Sequence, residues 1–321
     1  MAPPSVFHLI HHEDDGRLRL ERWRRNVGAP VAIDQPVGTG QRSSLSVVVL
    51  SWNVWIGRGR LREVVSRIRA GDYRQHGAEP DLPLIVLVQE ALRSDSSVPP
   101  VSSRQSGRVL IAGMGPQEDV VETARSLGLN LRYAPSMRNG LAASDRGNAI
   151  LSSLPLEDAH AIELPLVLQR RVAVSARVTI RGIKLRLVSA HLDPRGPPGH
   201  RWLGATGRAL QAGYLVDSVS DDLVLLGADL NLARGRYERA WRILLESGFS
   251  FGVPPSSPRW RHTFHALPRL VLDYVLIRDR QQAVRHGNVH RLDEHPRDRG
   301  ARVFGSDHHP LLARIDLHPI D

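Results

Sequence analysis

Polar side chains that can bind metal ions or transfer protons stand at the ends of several apolar segments. Asp229 and Asn231 lie two positions apart, so both side chains project from the same side of an extended chain. Asp273 interrupts an apolar segment, where a carboxylate is costly to bury without a partner. The other positions carry an amide, two carboxylates and two imidazoles: Asn53, Glu90, Asp307, His191 and His308. Taken one at a time, each has an ordinary explanation, such as a turn or a solvated side chain.

The chain contains no cysteine. This excludes disulfides, thiolate zinc sites, iron–sulfur clusters and a cysteine nucleophile. Any metal ion must therefore be held by oxygen or imidazole ligands, and the positions above offer both types.

Segments with strand and helix patterns surround these positions. Strands are expected at 45–52, 84–88, 148–151, 223–227, 270–277 and 311–317, and helices at 61–70, 119–127, 202–219 and 237–245. Residues 171–180 and 183–190 alternate apolar and polar side chains on either side of Arg181-Gly182, which indicates a β-hairpin. Hairpins mixed with helices predict a single α/β domain over 45–321, with two sheets packed face to face.

The first 44 residues differ from the rest of the chain in composition and in the pattern of apolar positions. They mix proline, glycine and charged residues with few periodic apolar positions, so we expect an N-terminal extension over 1–44. No apolar stretch of the kind found in secretory signals follows a short basic start, which favours a cytoplasmic protein. No segment approaches the roughly 18 apolar residues of a membrane helix, so stable membrane insertion is not expected.

Arginine dominates the charge of the chain. The 321 residues include 43 Lys and Arg against 33 Asp and Glu, for a formal net charge of +10, and Lys184 is the only lysine. Two explanations stay open: the codon bias of a GC-rich genome, or a polyanionic partner, because guanidinium pairs with phosphate through two hydrogen bonds. With 41% hydrophobic and 24% charged residues, the composition is that of a globular chain and excludes extensive disorder.

Six short motifs occur in a fixed order along the chain. They are N-x-W at 53–55, Q-E at 89–90, S-x-H-L at 189–192, G-x-D-x-N at 227–231, L-D-Y at 272–274 and S-D-H-x-P at 306–310. In this order and at this spacing they resemble the endonuclease/exonuclease/phosphatase superfamily over roughly residues 45–321. The resemblance implies the DNase-like fold, an α/β four-layer sandwich in which two mainly antiparallel β-sheets pack face to face and are flanked by helices.

The same resemblance implies a divalent metal site. Its ligands would be Asn53, Glu90 and Asp307. Their amide and carboxylate oxygens are hard donors, which suit Mg²⁺ or Mn²⁺ in contact with a substrate phosphate.

Catalytic roles also follow from the resemblance. Asp229 would orient or deprotonate the attacking water, with Asn231 fixing its position. Asp273 would hold His308, as a carboxylate holds an imidazole in other sites. His191 would donate to the scissile phosphate and stabilise the charge that develops there. Whether Asp229 or His308 is the general base stays open.

Three further positions bear on the site. Asn148, within 147–152, and Arg171, within 169–172, lie in segments that resemble family strands and are predicted neighbours of the substrate phosphate. His309 directly follows His308, and the Asp-His order favours His308 as the working imidazole.

Three functions fit these observations. The first is a metal-dependent phosphodiesterase that acts on nucleic acid, namely a nuclease that cleaves DNA; the motif set and the arginine excess favour it. The second keeps the chemistry but acts on a phospholipid, an inositol phosphate or a phosphotyrosyl-DNA adduct, the last indicated by His-Leu-Asp-Pro-Arg at 191–195. The third is a non-catalytic polyanion-binding protein, which the complete set of acid, amide and imidazole groups disfavours. A monomer is expected in each case.

Overall fold

The computed structural model describes residues 7–10, 17–36, 44–99, 116–139, 143–194, 204–251, 262–266, 268–294 and 302–318. The strands within these residues are β1 (His8–Ile10), β2 (Val31–Ile33), β3 (Ser46–Asn53), β4 (Leu84–Ser94), β5 (Asn130–Arg138), β6 (Ser144–Ser152), β7 (Glu157–Glu163), β8 (Val172–Ile180), β9 (Ile183–His191), β10 (Leu223–Asp229), β11 (Phe249–Phe251), β12 (Asp273–Asp279), β13 (Val284–Arg291) and β14 (Leu311–Leu317). The α-helices are α1 (Arg17–Arg24), α2 (Leu61–Ala70), α3 (Val120–Ser126), α4 (Ala205–Asp217) and α5 (Arg239–Glu246). Short 3₁₀ turns occupy Arg74–His76 and Gly235–Tyr237.

The strands form two seven-stranded sheets. Sheet A has the order β1-β7-β8-β9-β10-β12-β11, and sheet B has the order β13-β14-β3-β4-β6-β5-β2. Three neighbouring pairs are parallel, namely β1 with β7, β3 with β4, and β9 with β10. The other pairs within these two sheets are antiparallel.

Alternation along β3 shows how the layers are built. Val47 and Val49 pack in the apolar cluster between the two sheets, whereas Val48 and Leu50 face the cluster that contains the buried side of α2. The outer face of sheet A packs in the same way against α4 and α5. The layers are therefore helix, sheet, sheet and helix, which confirms the predicted four-layer sandwich of two mainly antiparallel sheets.

Most predicted elements are present, with differences at their ends. The predicted strand 270–277 begins three residues later, at Asp273, so this acid starts its strand and does not interrupt it. Strands β5, β7 and β13 were not expected, because charged side chains obscure their alternation; Arg132 on β5, for example, is buried. No helix in the described part of the chain is long and apolar enough to cross a bilayer.

Described parts of the first 44 residues take part in both sheets. β1 pairs with β7 at the edge of sheet A, and β2 pairs with β5 at the edge of sheet B. Residues 1–6, 11–16 and 37–43 of the predicted extension lie outside the described residues.

A buried ion pair connects the segment before β2 to sheet B. Arg93 Nε on β4 donates to Asp145 Oδ1 on β6 at 3.0 Å, and the two side chains are 1% and 0% exposed. Asp145 also accepts from the Tyr133 hydroxyl at 2.7 Å and from the Gly28 backbone N–H at 2.8 Å. Arg93 Nη1 donates to the Ala29 carbonyl at 2.7 Å. Both charges are thus compensated without water.

Removal of the acid tests how much this pair stabilises the fold. We expect Asp145→Asn to lower the free energy of unfolding by about 3 kcal/mol or more, because Arg93 keeps its charge but loses its counter-charge. The control is Asp72→Asn, which breaks a 2.9 Å contact to Arg67 between side chains that are 42% and 37% exposed. It should cost about 1 kcal/mol or less. Urea unfolding measures both variants, and equal losses would contradict this account.

Candidate active site

The predicted site residues meet at one edge of the sandwich, where strands of both sheets begin or end. In sheet A, Asp229 ends β10 and pairs in register with His191 at the end of β9 and with Asp273 at the start of β12. In sheet B, Asn53 ends β3, and residues 306–310 lead into β14. The two halves of the site therefore come from different sheets.

Asp229 is the centre of the polar contacts. Its Oδ2 accepts a hydrogen bond from Asn53 Nδ2 at 2.9 Å and lies 3.3 Å from His191 Nε2. The same oxygen is 3.9 Å from His308 Nε2. Its Oδ1 accepts from the Asn231 backbone N–H at 3.0 Å. One buried carboxylate thus contacts groups from both sheets.

The turn after β10 holds Asn231 beside this carboxylate. Asn231 has φ of +52°, in the left-handed region that asparagine tolerates better than most residues. Its Nδ2 donates to the Leu192 carbonyl at 2.9 Å, which joins the ends of β10 and β9.

Asp273 and His308 are in direct contact. His308 Nδ1 and Asp273 Oδ2 are 2.8 Å apart, and Nε2 of the ring is directed towards Asp229 and Asp307, at 3.9 and 4.0 Å. Thr263 Oγ1 accepts from the Asp273 backbone N–H at 3.0 Å, which fixes the start of β12. Burial alone lowers the pKa of His308, but Asp273, followed by Asp229 and Asp307, raises it to about 10.

Segment 306–310 is hydrogen-bonded to β3 by the residues on either side of Asp307. The Ser306 hydroxyl donates to the Asn53 carbonyl at 2.7 Å, and Trp52 Nε1 donates to the His308 carbonyl at 2.8 Å. These bonds determine where Asp307 and His308 stand relative to the end of β3.

A β-bulge places Glu90 at the site. The pairing of β4 with β6 shifts between Val88 and Ala91, and Glu90 has φ of +53°, a strained conformation for a residue with a side chain. Gln89 Nε2 donates to Ser189 Oγ on sheet A at 3.1 Å, and Glu90 Oε1 lies 3.9 Å from His191 Nδ1. The extra residue lets both side chains face sheet A.

The acids Glu90 and Asp307 have the properties of cation ligands. Asp307 Oδ1 is buried and has no hydrogen-bond partner among the described residues. Burial raises the pKa of Asp307 to about 6; the charge of His308 opposes this shift, and that of Glu90 adds to it. Asn53 Oδ1 accepts from the Trp55 N–H at 3.0 Å, which leaves one lone pair for another partner. Carboxylate and amide oxygens are the donor type that hard divalent cations prefer.

The buried environment also shifts the pKa values of Asp229 and His191, which are paired in register in sheet A. Burial and the charge of Asp273 raise the pKa of Asp229. Burial and the positive charge of Arg171 hold the pKa of His191 well below its usual value, so this imidazole is neutral at pH 7.

Asn148 and Arg171 lie at the side of the site. Both line a small cleft together with Glu90 and His191. Asn148 Nδ2 donates to the Val172 carbonyl at 2.7 Å, and Arg171 Nε donates to Asp193 Oδ1 at 3.0 Å. Their predicted position near the phosphate site is compatible with this geometry, although both side chains already bond to the protein.

Other side chains near the site carried no recognisable signal in the sequence. Thr263, which holds Asp273, is an isolated threonine, and Arg146 lines the cleft beside Asn148. The guanidinium of Arg302 lies 4.6 Å from the centroid of the Trp55 ring.

The chain is similar to one family of proteins and to several solved structures. The family model described as Endonuclease/Exonuclease/phosphatase family matches residues 50–308. No curated protein gave a significant match. Among solved structures, the human Nocturnin catalytic domain with bound sulfate is 15% identical, with a TM-score of 0.55 over 91% of this chain and 98% of that chain.

Two further structures have the same fold. Truncated TDP2 from Caenorhabditis elegans is 19% identical, with a TM-score of 0.52 over 84% of this chain and 97% of that chain. An endonuclease/exonuclease/phosphatase from Beutenbergia cavernae is 18% identical, with a TM-score of 0.55 over 86% of this chain and 72% of that chain. Because the match to the family model covers most of the sequence, the chain belongs to the endonuclease/exonuclease/phosphatase family.

Proposed function

We propose that the protein is a Mg²⁺-dependent phosphodiesterase that cleaves DNA. Enzymes of the family hydrolyse phosphodiester bonds and depend on divalent metals. The observation that carries the metal dependence is the buried, unpartnered Oδ1 of Asp307, which shares its surroundings with the carboxylate of Glu90. A cation bound there would pair with this oxygen and offset the two negative charges.

The metal ion would be held by Glu90, Asp307 and the remaining lone pair of Asn53. When bound, it would polarise a phosphoryl oxygen and neutralise charge on the phosphate. The bulge at Glu90 and the anchoring of segment 306–310 position the two carboxylates.

The remaining groups fit the steps of an attack by water. His308 is surrounded by Asp273, Asp229 and Asp307, which favour its protonated form, so its Nε2 donates to the phosphate and can pass its proton to the leaving oxygen. Asp229 is then the group that accepts the proton of the attacking water, with Asn231 holding Oδ1. The neutral His191 donates a hydrogen bond to the phosphate and stabilises the charge that develops there as the bond breaks.

Arginine side chains near the acids favour DNA over a small substrate. The guanidinium groups of Arg58 and Arg302 both lie over the ring of Trp55, and Arg146 lines the cleft with Asn148. An exposed guanidinium such as that of Arg302 can pair with a phosphate next to the cleaved bond. The bound sulfate named for the Nocturnin structure supports anion binding by this fold.

Metal dependence is tested first with Glu90. We expect Glu90→Gln to raise the Mg²⁺ concentration for half-maximal activity about tenfold or more without unfolding the protein, because one carboxylate ligand is lost. The control is Glu63→Gln, in an exposed side chain on α2. Cleavage assays over a Mg²⁺ titration, with circular dichroism, measure both. An unchanged titration would remove Glu90 from the metal site, and activity after exhaustive chelation would contradict the metal requirement.

The contact between Asp273 and His308 is tested by a double-mutant cycle. Asp273→Asn and His308→Ala should each lower kcat by about 10² or more, as for loss of a positioned acid–base group. The double variant should lose little beyond the worse single one, because residues that act as a unit are not additive. Additive losses would show that the two act separately. A fully active His308→Ala with an inactive His309→Ala would show that the wrong imidazole was chosen.

The substrate is tested with a panel in the presence and absence of Mg²⁺. Duplex DNA, single-stranded DNA, RNA, a phosphotyrosyl-DNA adduct, a phospholipid and an inositol phosphate are compared. We expect the protein to cleave DNA, and its affinity for DNA to fall as the salt concentration rises. Arg302→Gln should reduce the slope of log K against log salt by about 1. A preference for the lipid or the inositol phosphate, with salt-independent affinity, would contradict the DNA assignment. Absence of turnover on every substrate would leave polyanion binding as the function.

A further inference from the structure

Three buried histidines gather next to the segment that carries Asp307 and His308. His262, His265 and His309 are 8%, 3% and 1% exposed. His265 Nδ1 and His309 Nε2 are 3.0 Å apart, and the ring of His262 lies 5.2 Å from that of His309. One ring nitrogen from each of the three lies within 4.8 Å of the others. Three imidazoles thus direct nitrogen atoms into one small volume.

The surroundings of His309 determine which of its nitrogens faces this volume. Its Nδ1 lies 3.1 Å from the Leu292 carbonyl and 2.9 Å from Asp293 Oδ1, both acceptors. Nδ1 therefore carries the proton, and Nε2 presents its lone pair to the other two rings. Histidines that bind metal ions commonly donate their other ring N–H to a carboxylate or carbonyl, which fixes the orientation of the ring.

His262 provides a second, independent observation. Its Nε2 is buried and has no hydrogen-bond partner among the described residues. A buried polar nitrogen left without a partner is unfavourable. A cation in the common volume would use this nitrogen together with those of His265 and His309.

We propose that His262, His265 and His309 form a zinc site distinct from the oxygen-rich site at Glu90 and Asp307. Neutral imidazoles are preferred ligands of Zn²⁺, whereas Mg²⁺ prefers oxygen, so the two sites select different ions. Zn–N bonds of about 2.0–2.1 Å in a tetrahedral site place ligand nitrogens roughly 3.3 Å apart. The distance of 3.0 Å between His265 and His309 is close to that value.

The location of this site gives the ion a structural role. The backbone N–H of His265 donates to the Asp307 carbonyl at 2.7 Å, and the backbone N–H of His309 donates to the Thr263 carbonyl at 2.8 Å. The hydroxyl of Thr263 in turn fixes the backbone of Asp273. Zinc bound here would cross-link residues 262–265 to residues 306–310, and so hold in place the segments that position Asp273 and His308.

Zinc binding by the full-length, metal-stripped protein tests the site without reference to activity. We expect the wild type to bind Zn²⁺ in titration calorimetry, and His262→Gln and His265→Gln to weaken that binding by about 100-fold or more, because each removes a ligand. Asp293→Asn keeps all three ligands and should weaken it by about tenfold. The controls are His318→Gln, an exposed histidine elsewhere, and Glu90→Gln, which alters the predicted Mg²⁺ site; neither should change Zn²⁺ affinity.

Cobalt substitution shows which site holds the ion. Co²⁺ in a tetrahedral, nitrogen-rich site absorbs strongly in the visible range, and this band should persist in Glu90→Gln and vanish in the two ligand variants. Circular dichroism identifies any variant that does not fold, and Asp293→Asn, with its ligands intact, then serves in its place. Failure of the wild type to bind Zn²⁺ would overturn the proposal, as would equal binding by the wild type and the folded variants. Both results leave the proposed phosphodiesterase activity untouched.

Discussion

The site depends on one buried carboxylate at the junction of the two sheets. Asp229 ends a central strand of sheet A, where water is excluded, so donors from the protein must compensate its charge. Sheet A supplies His191 and the backbone of Asn231, and sheet B supplies the amide of Asn53. A displacement of one sheet relative to the other would break the bond to Asn53. The packing between the sheets is therefore part of the site.

Local strain occurs where the site needs an irregular backbone. Glu90 and Asn231 both have positive φ, at +53° and +52°; Glu90 lies within β4, and Asn231 follows the buried strand β10. Residues held in this region cost of order 1–3 kcal/mol each and persist only when the surrounding structure enforces them. Here the enforcing structure is the sheet itself, because β4 continues past Glu90 and Asn231 is tied to Leu192. The result is that an acid and an amide face the site in the absence of substrate.

The sequence allowed the identity of the central groups to be predicted, but not their geometry. The motifs named Asp273 and His308 as partners, and the structure places them in contact. What the sequence did not show is that Asp273 starts β12 and lies beside Asp229 in register, since strand pairing is a long-range property. Thr263 and the spacing of His262 and His265 were missed for a related reason. They lie in a segment without periodicity, and only the fold brings it next to residues 306–310.

Three consecutive residues before β14 have side chains in three different environments. Asp307 has an unpartnered oxygen beside Glu90, His308 contacts Asp273, and His309 points its Nδ1 at Asp293. Short segments achieve this when their backbone is tightly held, and here Ser306 bonds to β3 while the His309 N–H bonds to Thr263. Because the three side chains share one rigid backbone, a change that moves His309 also moves His308 and Asp307. The histidine cluster is therefore coupled mechanically to the acids, although its side chains make none of the contacts of the candidate active site.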